Sequence, residues 1–224
     1  MRYLIKVSYN GSKYSGFQRL NNLPSIQNEL EKALTKINKG KVEVKGSGRT
    51  DTKVHALGQM VHFDLDVDIP EERLINAINS LLSNYIRVLS CIKVDDSFHA
   101  RFNVKKKTYK YVINMGEYDV IKEDLVYNYC RELNINNMKK ASKYLIGKHN
   151  FKNFVSGYRE NYNSEIYKIE FKTEKKYLTI RFVGKSFYRY MVRNLVGALM
   201  LVGTGKITVK EFSKMLDSET NPYT

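Results

Sequence analysis

Apolar residues recur along this chain with two alternating periods, and the switches between them mark out its elements. Tyr3, Ile5, Val7 and Tyr9 alternate with Arg2, Leu4, Lys6 and Ser8, the period of two that a half-buried strand shows. Asn10-Gly11-Ser12 ends that run. Ile26, Leu30, Ala33, Leu34 and Ile37 then follow helical spacing behind a Pro24-Ser25 start. The pattern next predicts a short strand over 42–45, a turn at Gly46-Ser47-Gly48 and a strand over 60–65. Pro70-Glu71-Glu72 opens a helix with Leu74, Ala77, Ile78 and Leu81 inward. Ile86, Val88, Ser90, Ile92 and Val94 share one phase of the next strand, which leaves Cys91 on its outer phase. The order β-α-β-β-α-β is the split βαβ, or ferredoxin-like, unit.

The second half repeats that plan through five elements. Tyr109, Tyr111 and Ile113 form a strand, and Met138, Ala141, Leu145 and Ile146 share one face of a helix. Two strands follow, near 165–173 and 177–183, joined by Glu174-Lys175-Lys176. A strongly apolar helix covers about 186–202, and a short one lies near 208–216. The closing strand is absent from the pattern. The chain therefore reads as α+β: two ferredoxin-like (βαββαβ) halves, residues 1–103 and 104–224, sharing one mostly antiparallel sheet with helices on one face. The second half lacks its last strand on this reading, which predicts an exposed sheet edge.

Composition bounds the class. A chain of 224 residues has room for one domain or two small ones, and 42% hydrophobic residues argue against disorder. No apolar run approaches the ~18 residues of a membrane span. Met1-Arg2-Tyr3-Leu4 lacks a signal-peptide layout, and two cysteines are too few for a disulfide framework or a zinc site. These features predict a reducing, cytoplasmic setting. Lys and Arg number 38 and Asp and Glu 23, a net charge of +15, which predicts a polyanionic partner: nucleic acid first, an anionic membrane surface second. The charge is uneven. Residues 1–103 hold 15 basic and 11 acidic side chains, a net of +4, and residues 104–224 hold 23 and 12, a net of +11.

The densest polar constellation runs Gly46-Ser47-Gly48-Arg49-Thr50-Asp51-Thr52-Lys53-Val54-His55-Ala56. Asp51 sits between Arg49 and Lys53, and nearby cations favour an ionised carboxylate, able to act as nucleophile or general base. The plainer reading is a solvated loop with a surface ion pair. Lys185, Arg189 and Arg193 recur at four-residue steps of the apolar helix, either as a solvated face or as a phosphate-facing stripe. Lys105-Lys106-Lys107 is the other candidate phosphate contact, or simply the border between halves. The spacing of His55, His62, His99 and His149 fits no zinc site; His99 is a candidate RNA contact and His55 a brace for the loop.

Six motifs in order resemble the TruA family of tRNA pseudouridine synthases. They are Tyr9-x-Gly11-Ser12-x-Tyr14-x-Gly16-Phe17-Gln18, Gly48-Arg49-Thr50-Asp51-x-x-Val54-His55-Ala56, Phe98-His99-Ala100-Arg101-Phe102, Lys107-Thr108-Tyr109-Lys110-Tyr111, Gly147-Lys148-His149-Asn150-Phe151 and Phe187-x-x-x-Met191-Val192-Arg193-Asn194-x-Val196-Gly197. The resemblance implies an isomerase, an intramolecular transferase converting uridine to pseudouridine in the anticodon stem-loop of tRNA, at positions 38 to 40 in tRNA numbering. It implies no cofactor, no metal and no nucleotide cofactor, with tRNA as partner, no membrane, and a homodimer. Asp51 matches the catalytic aspartate, Tyr109 the active-site tyrosine whose ring packs on uracil, and Arg193 the arginine that pairs with the aspartate. Arg49 would hold the place of the flipped nucleotide and Arg101 would contact the RNA backbone. His99, Lys105, Lys106, Lys107, Lys185, Arg189 and Lys53 complete the expected RNA-binding set.

The chain departs from the family in three places. Thr52-Lys53 stands where the family has Ala-Gly, so a lysine occupies a position where glycine tolerates positive φ. Asn150 replaces a common Asp. The family's closing Ala-Pro-x-x-Gly-Leu-x-Leu segment does not appear before Thr224. Two other readings compete with the enzyme. One is a catalytically impaired TruA-like paralogue that binds RNA. The other is a carboxylate glycosidase, which requires a second acid near Asp51 that the sequence does not supply.

Overall fold

In the computed structural model, residues 1–217 are described, and the chain divides into two compact units, Met1–Val104 and Lys105–Thr224. Each has its own sheet and its own buried core.

The first unit runs β1 (Arg2–Tyr9), α1 (Ile26–Asn38), β2 (Lys45–Gly46), β3 (Ala56–Asp64), α2 (Glu71–Leu81) and β4 (Ile86–Val94). Its strands pair antiparallel in the order β2-β3-β1-β4, the ferredoxin-like arrangement. The alternation in β1 does what its period requires. Tyr3, Ile5, Val7 and Tyr9 are buried with Leu30 and Leu34 of α1, Leu74 and Ile78 of α2, and Val61 and Phe63 of β3. At the head of α1, Ser25 Oγ accepts from the Asn28 N–H at 3.3 Å. Glu31 turns into the core with its charge satisfied, accepting from Arg19 Nη1 at 2.7 Å, Gln27 Nε2 at 3.0 Å and the Val44 N–H at 3.2 Å.

One residue of β4 reverses a sequence reading. Cys91 is buried in the core and Ile92 lies 53% exposed, whereas strict alternation puts Cys91 outward. A β-bulge against Lys6 and Val7 inserts one residue opposite β1, and a one-residue insertion exchanges the two faces of the strand beyond it. Burial pushes the Cys91 thiol up to about 11, so it is inert.

The second unit runs β5 (Lys107–Asn114), β6 (Tyr127–Asn128), α3 (Ile135–Ser142), β7 (Gly147–Asn150), β8 (Asn163–Glu174), β9 (Tyr177–Gly184), α4 (Met191–Gly203) and α5 (Val209–Asp217). The sheet order is β6-β5-β9-β8-β7, antiparallel except for the two-residue β5–β6 pair. Two short strands, β6 and β7, fall outside the period reading because two to four residues are too few to establish a period. The α+β class holds, but the strands are hydrogen-bonded as two sheets, one per unit, where the sequence reading has one shared sheet. Among the described residues no strand follows α4; the expected position of a closing strand lies outside them.

The apolar helix also starts later than its composition suggests, at Met191 rather than near 186. Lys185 N–H bonds Glu165 O at 2.9 Å and Ser164 Oγ bonds Ser186 O at 2.6 Å, so this backbone is engaged beside β8 and not in a helical turn. Tyr190 then takes the left-handed conformation, φ +59°, immediately before α4.

Candidate active site and RNA-facing surface

The loop carrying Asp51 joins β2 to β3 and is held by the loop that follows β1. The Phe17 N–H bonds Thr50 O at 3.1 Å, the Lys53 N–H bonds Tyr14 O at 3.1 Å, and the Tyr9 hydroxyl meets Thr50 Oγ1 at 2.9 Å. Asp51 O accepts from the Val54 N–H at 3.1 Å, closing a tight turn behind the half-buried aspartate. His55 braces the arrangement, its Nδ1 accepting from the Gly11 N–H at 3.1 Å.

Two glycines of the first motif exist for this contact. A Cβ on Gly11 would lie 2.0 Å from Val54 O, and one on Gly16 would lie 2.5 Å from Thr50 O. Gly16 also sits at φ +102°. Lys53 adopts φ +64°, the conformation in which a glycine is at ease, and its N–H still reaches Tyr14. Lysine at this position therefore leaves the loop closed, at the expense of local backbone strain. Arg49, Thr52 and Lys53 are exposed around Asp51.

A second polar group of the first unit lies on the sheet face away from α1 and α2. Arg2 Nε and Nη2 grip Asp64 at 2.8 Å each, and Arg2 Nη1 also donates to Phe98 O at 3.0 Å and to Asp96 O. The hydrogen bond from Arg2 holds the Asp64 carboxyl below its ordinary range. His62, only 3% exposed, accepts from the Ala100 N–H at Nδ1, 3.1 Å away. Burial, with His99 and Arg2 nearby, lowers the tendency of His62 to protonate. His62 and His99 rings meet edge-on at 4.7 Å, and His99 stacks on Phe102 at 4.3 Å. A cleft of about 410 Å³ opens here, lined by Lys41, Lys45, His62, Asp64 and His99 among others; Asp51 is not part of its lining. Sequence spacing had no means of finding this cluster, because its members come from β1, β3 and a turn.

In the second unit, Tyr109 lies half-buried on β5 opposite Phe182 of β9, its ring edge-on to Phe187 at 5.0 Å. Arg193 is exposed in the first turn of α4, and its guanidinium carbon lies 5.2 Å from the centre of the Tyr190 ring. Arg189 approaches the same ring at 5.0 Å, and Arg159 lies 5.0 Å from Tyr188. Arg193 also opposes the rise that burial imposes on the Tyr111 phenol. The first turn of α4 contains no acidic residue, so a cation stands at a helix end that is already electropositive. Lys185 and Arg189 precede α4, so the three cations do not form a stripe along one helix; they follow a turn into it. Lys105 and Lys106 are exposed just before β5, Lys107 opens that strand, and Arg101 is exposed in the turn after β4. His149 bonds Ile146 O at 2.9 Å, and Asn150 Oδ1 accepts from the Lys152 N–H at 2.9 Å, so both serve local structure.

Among the described residues no group of three or more His, Cys, Asp or Glu side chains is placed to hold a metal ion, and no helix is long and apolar enough to cross a membrane. Chemically, the chain has two α+β units that both carry exposed cations, and it presents one half-buried aspartate from a loop with little freedom. Comparison with known proteins gives that class its family. The sequence model described as tRNA pseudouridine synthase matches residues 5–103 and 141–224, and the chain belongs to this family. It is 42% identical over 220 residues to the tRNA pseudouridine synthase A of Listeria monocytogenes serotype 4a, covering 96% of this chain and 89% of that one. It is 39% identical to the tRNA pseudouridine synthase A of Anoxybacillus flavithermus over 95% of this chain and 88% of that protein. The protein of that name from Bacillus subtilis is 38% identical, with 98% and 91% covered.

Proposed function

We propose that this protein isomerises uridine to pseudouridine in the anticodon stem-loop of tRNA, at positions 38 to 40, with Asp51 as the essential carboxylate. Family membership supports the reaction class, and the loop around Asp51 carries the assignment of the residue. The N1–C1′ bond breaks, the uracil turns, and C5 bonds to C1′; the C5 hydrogen leaves as a proton and N1 gains one. Attack on C1′, attack on the uracil ring and proton removal are three routes by which a carboxylate serves this rearrangement, and each needs it ionised.

The base must leave its stack first, at a cost of a few kcal/mol. Arg49, exposed beside Asp51, takes the place of the flipped nucleotide, and the ring of Tyr109 packs on the uracil. Arg193 matches the arginine that partners the catalytic aspartate in the family. Arg101, His99, Lys53, Lys105, Lys106, Lys107, Lys185 and Arg189 serve the RNA. The enzyme acts in the cytoplasm, and the family resemblance implies a homodimer across which the tRNA lies.

Tritium release from unmodified tRNA labelled at uracil C5 tests the proposal. The protein releases tritium, and Asp51→Ala abolishes release while tRNA affinity stays nearly intact. Retained tRNA binding without release by the unaltered protein would establish the RNA-binding paralogue instead. The structure favours the enzyme at the point where the two readings diverge, since Lys53 takes the conformation that the loop requires.

A further inference from the structure

The turn after β4 displays an aromatic ring in a setting that its burial pattern alone does not explain. Phe102 is 76% exposed, yet its ring is oriented: one side stacks on His99, with centroids 4.3 Å apart and planes 29° from parallel. His99 is fixed in turn. Its ring meets His62 edge-on at 4.7 Å, its Nδ1 accepts from the Arg101 N–H at 3.2 Å, and its own N–H bonds Asn103 Oδ1 at 2.7 Å. Below them, buried His62 holds the Ala100 N–H, and Arg2 holds Phe98 O. The other side of the Phe102 ring is therefore open to solvent on a turn anchored at Phe98 and at Ala100. Exposed Arg101 is the chain neighbour of Phe102 in the same turn.

We infer that Phe102 is a stacking platform for an unpaired base of the RNA substrate, held in place by His99 and His62. The inference rests on the RNA-modifying reading above and adds a specific subsite to it. Any base offers a π face, so this contact confers affinity without reading sequence, and the Arg101 guanidinium meets the backbone next to the stacked nucleotide. The net charge of +15 disfavours a second copy of this basic chain as the occupant. His99 is a positioning residue here, acting on RNA through the ring that it supports.

The test uses the full chain with unmodified tRNA, measuring kcat and KM for pseudouridine formation and Kd across a salt series. Phe102→Ala raises KM and Kd about 5- to 100-fold, the equivalent of roughly 1–3 kcal/mol of base stacking, with kcat retained. Phe102→Leu, apolar but without a π face, behaves like Phe102→Ala, and Phe102→Trp restores the unaltered values. His99→Leu raises KM and His99→Phe rescues it. The salt slope of binding is unchanged in Phe102→Ala and falls by about one in Arg101→Ala. Wild-type behaviour of Phe102→Leu, or a change of oligomeric state in Phe102→Ala, overturns the platform while leaving the enzymatic reading intact. Absence of pseudouridine formation by the unaltered protein overturns that reading, and the Kd series then decides the platform by itself.

Discussion

The two units share a plan of helices on an antiparallel sheet but position their polar groups by opposite means. In the first, the loop bearing Asp51 is fixed by backbone hydrogen bonds and by glycines at points of close approach. In the second, Arg189 and Arg193 lie against the ring of Tyr190, exposed to solvent. The first arrangement is sensitive to the volume of a methyl group and indifferent to ions. The second is tolerant of shape and sensitive to ions, because exposed charges are screened within about 10 Å at ordinary salt. On the proposed function, bond making and breaking calls for a fixed atom and phosphate recognition for charge that can adapt, and the net +4 and +11 of residues 1–103 and 104–224 fit that division.

The largest effect comes from adding one carbon to each unit. Gly11→Ala places Cβ 2.0 Å from Val54 O, a distance that only movement of the loop can relieve. Overpacking of this kind costs about 1–3 kcal/mol, and turnover should fall more than stability does, because the displaced backbone carries Asp51. Gly197→Ala in α4 meets nothing within 4 Å and replaces a mid-helix glycine, so it should stabilise by up to about 1 kcal/mol. Urea unfolding and tritium release on both variants check the pair. A harmless Gly11→Ala would break the contrast between the units.

In the first unit β1, β3, β4, α1 and α2 follow from period, whereas the strand expected over 42–45 lies at Lys45–Gly46; Asp51 stands out by its motif. The reason for Gly11 does not, since a glycine 43 positions from Val54 carries no local sign that another backbone passes beside it. The inversion at Cys91 was illegible because a bulge changes the strand phase without changing composition. Phe187 and Tyr188 are apolar enough to extend a helical pattern ahead of the true start of α4 at Met191, while their segment is engaged by Glu165 and by Ser164. The burial of Glu31 carries no local sign either, because its partners at Arg19 and Val44 lie on either side of α1 in sequence. Periodicity reports which face is buried; it does not report which backbone groups are already occupied.

Charge gives the second, smaller separation. Lys106→Gln and Arg189→Gln should each lower the slope of log affinity against log salt by about one, with kcat little altered, because each neutralised phosphate releases counterions. Lys32→Gln, which breaks an exposed pair with Glu29 at 3.1 Å on α1, should leave both slope and affinity unchanged. Filter binding from low to moderate salt measures all three. Equal slopes for Lys106→Gln and the unaltered protein would remove that lysine from the RNA-facing set.

The smallest effect is one of pH, and it belongs to the first unit. Burial is the main reason that His62 resists protonation, with His99 and Arg2 adding like charge and Asp64 opposing them; a backbone hydrogen bond with Lys45 also favours the protonated form, without reversing the shift. Its folded pKa thus lies below the unfolded value, near 6.5. As pH falls past that unfolded value the unfolded chain takes up a proton while native His62 stays neutral. The contribution is therefore fully present above the unfolded pKa and declines as pH drops toward the folded one. His62→Asn, whose side-chain oxygen can still accept from the Ala100 N–H, should flatten that part of the curve, as urea midpoints measured across the range would record. Asp64, held low by Arg2, acts in a separate window below the ordinary aspartate value of 3.8, so the two are resolved by pH alone. An unchanged slope in His62→Asn between neutral pH and about 5 would mean that the buried histidine does not tie the Phe98–Phe102 turn to its sheet through a neutral ring.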